Sequence, residues 1–243
     1  MSGPVEGLTF RSDVGVKLIK SMGGDADIIA AARVSTAGAE SAEWLERNAA
    51  ESRGMLNFLM ANRHGTPFEH ASFTFLIEAP IFVWREFMRH RIGISYNEES
   101  GRYKQLAPVF YIPARERALV QEGKPGHYIF VPGTDEQYAV MVASHEFASQ
   151  FAYEGYRDLL AMGIAKEVAR MTLPVNIFSA AYVTMNPRSL MSFLSLRTKD
   201  ENSFFPSYPQ REIEMVAEKM EAIFAELFPI THEVFVLNRR VSP

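Results

Sequence analysis

Apolar and polar residues alternate around Val14, Val16 and Leu18, which predicts a strand over residues 8–20 ending at Gly23 and Gly24. Residues 25–33 (DADIIAAAR) then switch to a helical pattern. A second helix is predicted over 41–63, where Leu45, Met55, Phe58 and Leu59 make a buried stripe interrupted only by Gly54. HGTPFEH at 64–70 breaks that helix with Gly65 and Pro67 and leads into ASFTFLIEA, a strand over 71–79. Pro80 suits the first turn of a helix over 81–91. On its wheel Arg85, Glu86, Arg89 and His90 fall on one side and Val83, Trp84, Phe87 and Met88 on the other. If that helix continues, Arg91 projects toward the apolar side, where a guanidinium needs an acceptor.

Residues 92–101 leave the helical pattern, 103–114 read as extended and broken by proline, and 116–133 as a polar surface excursion. A long helix is predicted over 134–162, with Val140, Phe147, Phe151 and Leu159 or Leu160 as its recurring apolar positions. A shorter helix over 165–171 carries Arg170, and a strand follows over 175–185. Asn186 and Pro187 form an N-cap and first-turn pair for a helix over 188–197. There Arg188, Ser192 and Ser195 make a polar stripe, while Arg197 points the other way among Leu190, Phe193 and Leu194 and so calls for a buried partner. An irregular aromatic loop (199–210), a helix (211–228) and a last helical turn or two complete the chain. With no repeat or linker in 243 residues, one domain over 1–243 is expected.

The formal net charge of -4 gives no general attraction for nucleic acid or an anionic membrane, so any anion site must be local. No apolar run approaches the roughly 18 residues of a membrane span, and a cytoplasmic location is expected. The chain has no cysteine, which excludes disulfides, thiolate metal sites and cysteine nucleophiles. HGTPFEH does not have the spacing of a helical zinc pair, and no metal site is expected.

Candidate chemistry concentrates in RHRIGISYNEESGRY, residues 89–103. Its guanidinium groups suit phosphate, its two glycines free backbone N–H groups to turn toward a ligand, and Asn97, Glu98, Ser95 and Ser100 suit a base or sugar. The alternatives are a solvated charged loop, a nucleic-acid-binding module and a structural oligomer held by arginine salt bridges.

This run resembles the signature of flavin-dependent thymidylate synthases. TPFEHASFTF, WREFMRHR, EVARMTLP and NPRSLMSFLSLR resemble further segments of that family, in the expected order. The resemblance implies an α+β fold with a mixed or antiparallel sheet flanked by long helices. It also implies formation of thymidylate from deoxyuridylate (dUMP), with methylenetetrahydrofolate as carbon donor and FAD reduced by NADPH, in a homotetramer whose active sites are shared between subunits. By motif, Arg89, His90 and Arg91 are expected to hold FAD, with Thr66, Glu98, Asn186, Arg188 and Ser192 completing its site and His64 near the flavin. Glu86, Arg89, Glu98, Glu99, Ser100, Gly101, Arg102, Arg170 and Arg197 are expected around the nucleotide.

Arg197 has the catalytic role in this reading. A cation beside the uracil imide stabilises its electron-rich form, so the ring attacks the methylene without a thiolate, and reduced flavin then supplies hydride. Ser100 has no recognisable activating base and is assigned to nucleotide binding. Three departures from the family pattern stand out. The run from Ile92 to Glu99 is one residue longer than usual, Glu86 stands where Gln is common, and the loop after Arg197 lacks a histidine.

Overall fold

Nine residues of alternating character, SFTFLIEAP, set the central strand of the protein, because Phe73, Phe75 and Ile77 are wholly buried along one face. The computed structural model describes residues 7–47, 49–124 and 127–243. In chain order the elements begin with β1 (Thr9–Arg11), β2 (Gly15–Met22), α1 (Asp25–Ala37), α2 (Arg53–Ala61), β3 (Ser72–Pro80), α3 (Ile81–Phe87) and β4 (Ile94–Glu98). They continue with β5 (Val109–Tyr111), β6 (Val120–Lys124), β7 (His127–Val131), α4 (Asp135–Ala161) and α5 (Lys166–Ala169). The last are β8 (Phe178–Met185), α6 (Pro187–Arg197), α7 (Arg211–Leu227) and α8 (Pro229–Leu237).

The chain divides into two compact units. The larger comprises Gly15–Glu78, Arg85–Glu98 and Ala180–Pro243. Its four-stranded sheet has the order β2-β3-β8-β4, with β2 antiparallel to β3 and β4 antiparallel to β8. The face of Phe73 meets α7, whose Ile213, Val216, Ala217, Met220 and Phe224 recur at helical spacing and are all buried. Phe73 lies 6.0 Å from the ring of Phe224 and 5.0 Å from that of Phe228. Asp25, at the start of α1, accepts from Ile230 N and Thr231 N at 2.9 Å and from the Thr231 hydroxyl at 2.5 Å, so a carboxylate caps the free N–H groups of α8.

The smaller unit comprises Met1–Val14, Ala79–Trp84 and Glu99–Ser179. It holds the parallel pair β1-β5, the hairpin β6-β7, and α4 packed over Leu106, Phe110, Ala169 and Ile177. The α+β class with mainly antiparallel pairing and long helices is as expected. No helix among the described residues is long and apolar enough to cross a membrane.

Four local expectations are corrected. The strand over 8–20 is two strands, separated by the buried Val14, and β2 shifts register between Leu18 and Lys20. The helix over 41–63 is α-helical only in α2; 3-10 turns occupy Gly38–Glu46 and Ala49–Ser52. Trp44 there lies between the guanidinium groups of Arg33 and Arg47, at 4.2 and 4.1 Å, and α2 buries Leu56, Leu59 and Met60 while Leu45 and Phe58 are exposed.

The helix over 81–91 stops at Phe87, so Arg91 is exposed rather than turned into the apolar face. On α4 the length is right, and of the expected apolar face only Leu159 and Leu160 pack against the core. Val140, Phe147 and Phe151 are exposed, and Ser149, Tyr153 and Tyr156 are buried. The tyrosines can be buried because Tyr153 donates to Leu106 O at 3.0 Å and Tyr156 accepts from Leu106 N at 3.2 Å.

Candidate functional site

Helix α6 carries candidate residues at both ends. At its start Asn186 Oδ1 accepts from Ser189 N at 2.8 Å, the N-cap bond that the Asn-Pro pair predicts. At its end Leu190, Met191, Phe193 and Leu194 are fully buried, while Ser192 on the other face is exposed.

Arg197 finds the partner that its position calls for. Its Nη1 donates to Glu86 Oε2 and its Nε to His90 Nε2, both at 2.9 Å. Nη2 makes no hydrogen bond among the described residues. Because His90 Nε2 accepts, its ring is in the neutral tautomer with the proton on Nδ1. Burial, and then the charge of Arg197, lower the His90 pKa from 6.5 to about 4, which keeps the ring an acceptor at neutral pH. Phe193 packs edge-on to that ring at 4.9 Å.

The turn holding Arg89, His90 and Arg91 is fixed by a residue to which the sequence reading gave no role. The hydroxyl of Tyr96, on β4, lies 2.6 Å from His90 O and 3.0 Å from Phe87 O, closing off the end of α3. Burial raises the pKa of that hydroxyl, so it remains a donor. Arg89 and Arg91 are exposed. Gly93 follows at φ 67°, where a Cβ would meet Asn186 Nδ2 at 3.3 Å and press on the Ser189 hydroxyl.

A groove of about 650 Å³ opens beside α6, lined among others by Gly93, Asn186, Arg188, Ser192 and Phe205. It gathers three of the residues expected to hold FAD, Asn186, Arg188 and Ser192. His64, Thr66, Arg89, His90, Arg91 and Glu98 are not among its lining. Arg188 donates from Nη1 to Glu69 Oε1 at 2.6 Å and from Nε to Pro243 O at 2.7 Å. Its guanidinium lies against Gly65, where a Cβ would stand 2.5 Å from Cζ, so only glycine admits this approach. Gly65 separates exposed His64 from Thr66, which opens a 3-10 turn, and the glycine signal was legible in HGTP, though only as a helix breaker.

In the smaller unit Glu99 to Arg102 form a tight turn with Arg170 beside it. Tyr103 N and Lys104 N donate to Ser100 O at 3.1 Å, and Arg102 N donates to Ser100 Oγ at 3.3 Å. Gly101 is buried, and a Cβ there would lie 3.1 Å from Arg170 Cδ. Arg102 Nε donates to Glu167 Oε2 at 2.8 Å, and Lys104 pairs with Glu99 at 2.7 Å. No group of three or more His, Asp and Glu side chains that could hold a metal ion occurs among the described residues.

The family model of the thymidylate synthase complementing protein matches residues 17–230. The chain is 57% identical to the flavin-dependent thymidylate synthase of Streptomyces avermitilis over 97% of this chain and 96% of that protein. It is 54% identical to the enzyme of the same name from Tropheryma whipplei over 96% and 97%. Among solved structures it is similar to the UMP/dUMP methylase PolB from Streptomyces cacaoi bound with 5-Br dUMP, with a TM-score of 0.91 and 48% identity over 97% of this chain and all of that one. Near full-length similarity at this identity, with the signature residues in place, shows that the chain belongs to the flavin-dependent thymidylate synthase family.

Proposed function

We propose that this protein converts dUMP to thymidylate, using methylenetetrahydrofolate as carbon donor and an FAD reduced by NADPH. The observation that carries the reading is Arg197, half-buried at the end of α6 and aimed by Glu86 and His90. In this reading Nη2 meets the uracil imide, and a fixed cation there favours the electron-rich ring. The absence of cysteine agrees, since no thiolate is available to attack the ring.

The groove beside α6 suits FAD. It presents the Arg188 guanidinium to a phosphate, the Asn186 and Ser192 side chains to polar edges, and the Phe205 ring to a planar group. Bound flavin supplies the reducing equivalents. Arg89, Arg91, His64, Thr66 and Glu98 are assigned to the same cofactor. Glu99, Ser100, Gly101, Arg102 and Arg170 are assigned with Glu86, Arg89, Glu98 and Arg197 to the nucleotide. The match of one family model across both units supports their acting as one domain. The exposed apolar face of α4, with Val140, Phe147 and Phe151, supports a homotetramer. Cytoplasmic residence completes the proposal.

The purified protein should be yellow and should form labelled thymidylate only when dUMP, the folate and NADPH are all present. A colourless protein that cannot be reconstituted with FAD would overturn the reading.

A further inference from the structure

We propose that Arg240 is a positioning residue for the proposed reaction, clamping the end of α6 through Thr198 and thereby aiming Arg197. The claim rests on the role assigned to Arg197 and extends it to a residue that also lines the groove beside α6 but acts on Arg197 through Thr198.

Arg240 is only 7% exposed and sits just past the end of α8. Its Nη1 and Nη2 donate to the two oxygens of Glu221, both at 2.7 Å, and Nη2 also donates to Thr198 Oγ1 at 2.5 Å. Phe235 lies under the guanidinium at 5.1 Å. Glu221 takes a third bond, 2.9 Å from His232 Nε2. Burial pushes the Glu221 carboxyl up, but hydrogen bonds from His232 and Arg240 outweigh it and hold its pKa at about 2. The fork is therefore charged on both sides.

The backbone that delivers this fork is strained. Arg239 and Arg240 stand at φ 56° and 59°, a left-handed pair without glycine, in which Arg240 N closes the end of α8 on Phe235 O at 2.9 Å. Such a conformation persists where surrounding bonds over-determine it, and the Glu221 fork does so here. An arginine held in this way is a rigid reference point inside the unit.

The reference point acts on Thr198, the residue after Arg197. Thr198 is bound on every side: N donates to Leu194 O at 3.0 Å, Oγ1 donates to Leu194 O at 2.7 Å and accepts from Arg240, and O accepts from Ser207 Oγ at 3.0 Å. The last turn of α6 therefore cannot fray, and frayed helix ends are the rule where such bonds are missing. With its Cα fixed, Arg197 meets Glu86 and His90 at one angle and keeps Nη2 in place. A lysine at 240 has no planar fork to span Glu221 and Thr198 together.

The test uses the full chain. Thr198→Val removes the hydroxyl and leaves the Arg240–Glu221 pair, and Thr198→Ser restores the hydroxyl. We expect Thr198→Val to keep its thermal midpoint within a few degrees and its FAD affinity unchanged. Its kcat should fall about ten- to a hundredfold, as for a side chain misplaced near the chemistry, and Thr198→Ser should recover most of that loss. A Thr198→Val protein that turns over like the unmodified one, or that loses FAD and dUMP affinity together, overturns the proposal.

If Thr198→Val does not fold, Thr198→Ala is read in the same assays with the same two outcomes. The His90 pKa, followed by NMR without substrate, separates this claim from the reaction itself. It should rise in Thr198→Val as the charge of Arg197 shifts away, while burial, the larger cause, still holds it below 6.5. An unmoved His90 contradicts the clamp even in a protein that makes no thymidylate, whereas failure of the unmodified protein to make thymidylate contradicts the functional reading alone.

Discussion

Arg197 and Arg102 are both assigned to the nucleotide and both meet a glutamate, at 2.9 and 2.8 Å, yet their surroundings differ in kind. The Arg197–Glu86 pair is 20% and 32% exposed, with His90 as a third partner, and the side chain that bears it is anchored by a capped helix end. The Arg102–Glu167 pair is 56% and 50% exposed, and Arg102 lies on a turn. Water screens the second pair, so it holds Arg102 loosely and yields it to a phosphate at little cost. The first is held in a fixed direction, which suits a group that must polarise a ring rather than follow one.

The comparison breaks first at Arg197. Arg197→Gln should lower kcat by roughly 10²–10³, the size seen when one preorganised donor is removed from a reacting centre, and single-turnover formation of thymidylate reads it. An equal loss in Arg102→Gln would erase the distinction between the two sites.

Gly65→Ala sharpens the comparison on the cofactor side. A Cβ 2.5 Å from Arg188 Cζ forces that guanidinium aside, away from Glu69 and Pro243 O. FAD titration should then show affinity about ten- to a hundredfold weaker, with the Arg197 end of α6 unaffected.

The two glutamates give a smaller contrast. Glu86→Gln should lower stability by roughly 1–3 kcal/mol in urea, since it weakens a half-buried charged hydrogen bond. Glu167→Gln should change it by less than about 1 kcal/mol. Equal effects would mean that burial does not separate the pairs.

The gentlest probe is pH. His90 has its pKa lowered from 6.5 to about 4, so between these values the unfolded chain binds more protons than the folded one. Its contribution is complete above 6.5 and is lost as pH falls toward 4. Glu221, lowered from 4.5 to about 2, adds a second loss that begins near the acid end of that window and continues below it. Denaturant midpoints measured against pH should show the first loss disappear in His90→Gln while the second remains.

Part of this arrangement is legible in the sequence itself. The N-cap at Asn186 and the misfit of Arg197 on an apolar helix face were legible because each depends on a few neighbouring residues. The break after Phe87 was not, because it is made by the Tyr96 hydroxyl reaching back from β4. The buried face of α4 was missed for a similar reason. Periodicity favours Phe147 and Phe151, but tyrosine hydroxyls that find Leu106 across some fifty residues outweigh them. Arg240 carried no local signal, since its partners Thr198 and Glu221 lie on other helices.

The central claim is that a fixed guanidinium makes the uracil ring reactive. The most direct measurement is the ¹⁵N NMR titration of N3-labelled dUMP bound to the FAD-loaded protein. The account predicts that the imide loses its proton at a clearly lower pH when bound than when free, and that Arg197→Gln restores the free value. An imide that titrates alike in the bound, free and Arg197→Gln samples would contradict it.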